Sequence, residues 1–151
     1  MEIVAHTMEY CGANMTSQLE VRNYLSKDND AYKRIYEDCF FAMRAALELS
    51  PVNCCDSQEE LLLKQDQLFI YEIDGAIVGS VAVYDNEIDD LIVAKEFQNK
   101  GYGKALLQFA VSFLQKHDRS PIILHVAHWN QGAIKMYLSN GFKIVKTETV
   151  R

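Results

Sequence analysis

The chain lacks any apolar run approaching the roughly 20 residues a membrane helix needs, and residues 1–15 show no basic stretch followed by an apolar core. Those absences argue against a membrane-spanning helix and a secretory leader, and the expectation is a cytoplasmic protein with no membrane partner. Proline is scarce, at 2 in 151 residues, and glycine numbers 7, so no Pro-rich linker, collagen-like repeat or low-complexity tail is present. Basic charge is in deficit: 15 Lys and Arg stand against 21 Asp and Glu, a formal net charge of −6. A chain of that sign repels phosphate backbones, which sets nucleic acid aside as a partner and is compatible with a cationic substrate. The cysteines (Cys11, Cys39, Cys54 and Cys55) have no metal-ligand spacing. His125 and His128 fall in a segment that reads as a strand, which points them to opposite faces, so no metal site is expected.

What is present is one ordinary globular domain, with 49% apolar and 24% charged residues and no internal repeat. Residues 18–25 alternate enough to read as a strand. Over residues 30–49, Ile35, Cys39, Met43 and Ala46 recur at helical spacing, and the helix is expected to stop before Ser50-Pro51. Ser57-x-x-Glu60 ahead of three leucines is a capping-box pattern that starts a second, short helix. Asp74-Gly75 joins two β-rich runs, 67–73 and 76–84, as a hairpin, and Asp85-Asn86 turns into a third strand at 87–93. Tyr102, Leu106, Phe109 and Phe113 line one face of a helix over 101–116, and 121–129 reads as a strand. Asn130 caps a helix carrying Ala133, Ile134, Tyr137 and Leu138 on one face, Gly141 ends it, and 142–150 is a last strand. This order predicts an α/β mixed sheet with helices on its faces, and a parallel, right-handed strand-helix-strand unit over 87–129.

The informative segment is Gln98-Asn99-Lys100-Gly101-Tyr102-Gly103-Lys104, between a strand and the first turn of a helix. Two glycines permit close backbone approach, and the unpaired N–H groups and helix dipole there favour an anion such as a pyrophosphate. A tight turn at a helix start, with no ligand, uses the same letters. A dinucleotide fingerprint fails, because Leu106 occupies its third small position and no acidic residue ends the next strand at the required distance. A nucleoside-triphosphate P-loop fails as well, because Ala105 follows Gly103-Lys104 and Gln98 stands where its first glycine belongs.

Residues 98–103 do resemble the [QR]-x-x-G-x-[GA] pyrophosphate loop of the GNAT N-acetyltransferase superfamily. Leu91-x-Val93 is similar to the strand that leads into that loop. A second family pattern follows in order: Asn130-x-x-Ala133-x-x-x-Tyr137-x-x-x-Gly141-Phe142. The resemblance is specific over 67–142, which it implies is the acetyl-CoA-binding core of a single domain spanning 1–151, with 1–17 as an N-terminal extension. It implies a GNAT-type splayed sheet, with acetyl-CoA as co-substrate and no metal. The pyrophosphate is then expected on the amides of Gly101, Tyr102, Gly103 and Lys104, in the loop begun by Gln98, Asn99 and Lys100. The pantetheine arm is expected beside Leu91, Ile92 and Val93, where an amide faces the thioester oxygen, with Asn130 bonding the arm.

The acceptor must attack as a neutral amine, yet an amine of pKa near 10.4 is neutral in only about one molecule in 10³ at pH 7. A positioned carboxylate can take the proton. Glu87 matches in spacing a catalytic glutamate found in part of the family, with Asp89 in reserve; Glu87, Asp89 and Asp90 also suit a solvated strand end. Tyr137 corresponds to the family tyrosine that protonates the departing thiolate, and as a core aromatic it needs no such role. His128 and Trp129 fall at the mouth of the expected splay. The implied activity is direct acetyl transfer to a primary amine in a ternary complex. A non-catalytic acyl-CoA-binding module and a protein N-terminal or lysine acetyltransferase are the alternatives. One departure stands out: a single strand follows Gly141-Phe142 where the family has two. Residues 1–9 are therefore expected to supply the missing one, within the chain or across a homodimer, since an open sheet edge invites unwanted pairing.

Overall fold

Local chemistry sets most of the elements. Asp74 and Gly75, at φ of 51° and 82°, close a tight hairpin between β3 (Leu68–Ile73) and β4 (Ala76–Tyr84). Asp85, at φ 56°, turns the chain into β5 (Glu87–Val93). Ser57 accepts the Glu60 N–H and Glu60 accepts the Ser57 N–H, a reciprocal cap on α2 (Gln58–Leu63). Asn130 accepts the Ala133 N–H at 3.2 Å and caps α4 (Gln131–Ser139). The remaining elements are β1 (Ile3–Tyr10), β2 (Arg22–Asn23), α1 (Asn29–Ala46), α3 (Tyr102–Lys116), β6 (Ile123–Ala127) and β7 (Phe142–Val150). This computed structural model describes residues 3–46 and 55–150. The expected helix end before Ser50-Pro51, the Cys54 thiol and the first two residues of the spare N-terminal segment lie outside the described residues.

The sheet has seven strands in the order β2-β3-β4-β5-β6-β1-β7, all antiparallel except β5 beside β6. Alternate residues of the central strands face two apolar clusters. Phe69, Val81, Val83 and Ile88 pack with Leu106, Ala110 and Leu114 of α3. Leu68, Ile70, Ala82 and Ile92 pack with Tyr32 and Ile35 of α1 and Leu61 of α2. Helices therefore cover both faces. No helix among the described residues is long and apolar enough to cross a membrane.

Ile88 and Ile92 expose the key irregularity. An even spacing on a regular strand gives one face, yet these residues belong to opposite clusters. Between the pairs Ala82–Asp89 and Ser80–Ile92, β4 has one residue and β5 has two, so β5 carries a bulge, with Asp90 at φ 46°. Gly79 answers it on the neighbouring strand: a Cβ there would lie 2.5 Å from the Ile92 carbonyl oxygen and 2.9 Å from Leu106.

Two strand expectations are corrected. Residues 18–25 give only the two-residue β2, because its ladder to β3 stops at Arg22–Ile70 and Asn23–Phe69. Asp28 then accepts the Leu25 N–H and turns the chain into a short 3₁₀ segment ahead of α1. The strand expected over 121–129 contracts to β6, because the Asn130 N–H turns back to the Ala127 carbonyl. The missing strand is β1. It lies between β6 and β7 in the same chain, paired antiparallel to both, so the sheet needs no second copy to complete it.

Met8 of β1 is fully buried in the α3-side cluster. Met8→Ala should therefore cost about 2–5 kcal/mol of unfolding free energy, the usual range for emptying a core position. Denaturant unfolding checks it; a loss below about 1 kcal/mol would mean that β1 is an appendage to the core.

Candidate active site

The site starts where two parallel strands stop pairing. β5 and β6 pair at Glu87–Ile123 and Ile88–Leu124 and at no later residue. From the bulge onward they diverge, leaving the β6-facing edge of β5 without a partner strand. A cavity of about 380 Å³ occupies the gap, within the range of small-molecule sites. Leu91 and Val93 line it from β5, Gly103 from α3, and Asn130, Met136 and Tyr137 from the α4 region. On the other side of the sheet Phe40 of α1, Asp89, Asp90 and His125 add to the wall.

The glycine loop abuts this cavity. Gly101 takes φ 89° and serves as the start of α3 with no side-chain cap. The first helical bond runs from the Ala105 N–H to the Gly101 carbonyl at 3.1 Å, so the amides of residues 102–104 stand ahead of the ladder. A Cβ added at Gly103 would sit 3.7 Å from Val93 and Met136, in ordinary contact at the cavity wall. Gln98, though exposed, donates its side-chain amide to the Val93 carbonyl at 3.0 Å and ties the loop to the strand. Asn99 takes φ 63°, and Lys100 is exposed. Tyr102 packs beside Tyr71 and Phe97. Lys104 adds positive charge to the first turn.

The ionisable candidates are distributed unequally. Tyr137 is largely buried against Phe142, and burial, with the Asp89 carboxylate as a lesser cause, pushes its hydroxyl up to about 12. It is a donor at any working pH. Glu87 stands at the closed end of the splay and is absent from the cavity lining; its Oε1 is 3.5 Å from His125 Nε2. His125 in turn bonds Thr7 through Nδ1 at 3.1 Å. Asp89 accepts the Asp90 N–H at 2.8 Å, which braces the bulge. Asp90 is pushed up to about 6, chiefly by burial and then by the Asp89 charge, against the pull of Lys64.

Of the residues expected in the site, the reserve carboxylate Asp89 and Leu91, Val93, Gly103, Asn130 and Tyr137 share the cavity wall, and residues 98–104 form the loop at its side. The Ile92 side chain is buried on the α1 face. Asp90, read in the sequence only as part of a solvated strand end, is instead half-buried at the bulge and in the cavity wall. His128 is turned from the cavity to His6, Nδ1 to Nε2 at 2.9 Å, an arrangement invisible until β1 was placed beside β6.

A family model described as the acetyltransferase (GNAT) family matches residues 25–142. The chain belongs to the GNAT acetyltransferase family. It is 33% identical over 95 residues to an uncharacterized N-acetyltransferase of Methanocaldococcus jannaschii, a match covering 54% of this chain and 42% of that protein. It is 31% identical over 94 residues to the peptidyl-lysine N-acetyltransferase YiaC of Escherichia coli, covering 62% of this chain and 61% of that one. The chain thus spans about half the length of these curated relatives. Among solved structures, the PaiA N-acetyltransferase of Thermoplasma acidophilum, in complex with coenzyme A, aligns at a TM-score of 0.67 and 20% identity, over 82% of this chain and 89% of that one. YncA of Salmonella typhimurium, with acetyl-CoA, aligns at 0.65 and 18%, over 89% and 82%. At those identities the likeness shows the GNAT fold.

Gly103 offers the cleanest test of the GNAT loop. Millimolar coenzyme A should raise the melting temperature of the wild type by mass action. Gly103→Val should melt near the wild-type value without ligand and show no coenzyme A shift, because its branched side chain projects into the cavity. Thermal scans with and without coenzyme A decide it, and an unshifted wild type would remove the loop's assigned role.

Proposed function

We propose that the protein is an acetyl-CoA-dependent N-acetyltransferase that moves an acetyl group directly onto a primary amine in a ternary complex. One observation carries this reading. The unpaired edge of β5, the glycine-bearing start of α3 and Tyr137 converge on one cavity at the point where β5 and β6 part.

The fit to acetyl-CoA rests on the donor set. Amides ahead of the α3 ladder, beside a glycine that leaves room for a ligand, suit the diphosphate; the open β5 edge at Leu91 to Val93 suits an extended amide-bearing arm. When bound, acetyl-CoA supplies the activated acetyl group. The chain's own groups do the rest. A backbone amide at Leu91 or Ile92 is the proposed donor to the carbonyl oxygen, a class of contact worth about 2.7–4 kcal/mol in other enzymes. Tyr137, held protonated, donates its hydroxyl hydrogen to the departing sulfur. Asn130 is the proposed partner of the arm while its Oδ1 caps α4. A β5 carboxylate removes the ammonium proton. Glu87, the candidate by spacing, reaches the cavity wall through His125.

No cysteine stands in the glycine loop or the α4 motif, so the reading includes no acyl-enzyme step. The proposed setting is cytoplasmic, with the thiols of Cys11, Cys39 and Cys55 free. The likeness to YiaC supports a peptide lysine as acceptor, and the 26% identity to streptothricin acetyltransferase A of Bacillus subtilis supports a small molecule. Both chemistries present a primary amine.

A panel of peptide lysines, polyamines and other small primary amines with acetyl-CoA, read by free thiol release, tests the proposal. At least one amine should release thiol in step with acetylated product. Tyr137→Phe keeps the ring against Phe142, so coenzyme A affinity should hold while kcat falls by roughly 10²–10⁴, the usual range for a positioned acid. Coenzyme A binding without transfer to any amine would favour a non-catalytic acyl-CoA-binding module.

A further inference from the structure

Three carboxylates stand on β5 in three different settings. Glu87 is at the closed end of the splay, paired with His125 at 3.5 Å. Asp89 also lines the cavity, but it is exposed and spends its Oδ1 on the Asp90 N–H at 2.8 Å. Asp90 occupies the bulge itself, lines the cavity, and lies with Oδ2 3.5 Å from the Tyr84 hydroxyl, leaving Oδ1 for another partner. We propose that Asp90 is the catalytic base, the group that takes the proton from the acceptor ammonium. This assignment rests on the transferase reading and deepens it.

Geometry separates acid from base across the sheet. Gly103, Met136 and Tyr137 approach the cavity from the α3 and α4 side. Asp90 has the parity of Ile92, which belongs to the α1-side cluster with Tyr32 and Leu61, and Phe40 of α1 lines the same wall. An acceptor entering between α1 and β5 therefore meets Asp90 before it meets the acetyl group.

The groups that face Asp90 come from several elements: Asp89 on its own strand, Tyr84 on β4, Lys64 and Asp56 at the ends of the α2 segment, Tyr32 on α1, and Cys55. Lys64 is the cation among them. It is held by Asp56 at 2.6 Å and sits 4.9 Å from the centre of the Tyr84 ring, and among the described residues Asp90 has no direct ion pair. Burial and Asp89 push the Asp90 carboxyl up to about 6, so at pH 7 it is mostly ionised and a stronger proton acceptor than an ordinary carboxylate.

The step balances. Asp90 takes one N–H proton, and the neutral nitrogen forms a C–N bond to the acetyl carbon as the C–S bond breaks. The sulfur takes the Tyr137 proton, and the second surplus N–H proton returns to Tyr137. Asp90 releases its proton to solvent, so each turnover yields one amide, one thiol and one proton.

Asp90→Asn is the direct test, because asparagine keeps the size and tolerates positive φ. With acetyl-CoA and butylamine or a blocked lysine amide as probes, kcat/KM at pH 7 should fall roughly 10²–10⁴-fold. The acid limb near pH 6 should vanish, and activity should partly return toward pH 10, where the amine is neutral unaided. Glu87→Gln should cost less than Asp90→Asn, and coenzyme A affinity should hold in both. Melting gives a second signature. A carboxyl raised in the folded state contributes stability below about pH 4 that is lost as pH rises through about 6. Relative to wild type, Asp90→Asn should thus melt higher at pH 8 than at pH 4. Carboxyl ¹³C titration reads Asp90 whether or not a probe turns over: a midpoint near 6 supports the assignment, and one near 4 overturns it. A wild type inactive on both probes counts against the transferase reading, whereas an active wild type matched by Asp90→Asn overturns the Asp90 assignment alone.

Discussion

Between the pairs Ala82–Asp89 and Ser80–Ile92, β5 has one residue more than β4, and the geometry of the site descends from that count. The extra residue rotates the later half of β5, so Leu91 and Val93 take over the α3-facing positions that Ile88 began. It also turns the strand away from β6 after two paired positions. A regular ladder would have closed that gap with hydrogen bonds and left no cavity. Gly79 opposite the bulge and the Asp89 carboxylate on the Asp90 amide are local supports for a backbone that would otherwise straighten.

The same divergence sets the electrostatics. Opening the sheet admits water at one end but leaves Tyr137 and Asp90 largely enclosed by side chains from both layers. Enclosure pushes both groups toward their neutral forms, to about 12 for the phenol and about 6 for the carboxyl. One becomes a firmly protonated donor and the other a proton acceptor close to neutrality. Glu87, outside the enclosure and beside an imidazole, shares the strand but not the environment.

The hairpin, the capped helices and the glycine loop were legible in the letters because each depends on a few adjacent residues. Asp74-Gly75, Ser57 with Glu60, Asn130 and Gly101 all do what their local chemistry predicts. Tyr137 and Gly103 were legible as a pattern, and the fold brings them to one wall. The role of residues 18–25 was not, because strand length is fixed by the partner: β3 pairs with two residues and Asp28 diverts the rest. Asp90 was missed for a related reason. Its setting arises from a register shift against β4, which brings up Tyr84, and from Lys64 and Tyr32, which come from distant parts of the sequence. The spare strand at residues 1–9 was legible as a surplus, whereas its place between β6 and β7 depends on pairing across the whole chain.

That placement has a consequence for how the protein comes together during synthesis. Ile3 pairs with Val150, and Met8 lies opposite both Leu124 and Ile144, so β1 is made long before either of the strands that flank it. Long-range closures of this kind are slow, because chain entropy is lost before contacts repay it. The β2 to β5 meander and α1 can assemble from neighbouring residues, while β1 stays an unpaired apolar strand, the kind of surface that chaperones guard. Ala5 of β1 lines the cavity, so completion of that wall waits for β6, the partner that comes late in the order of synthesis.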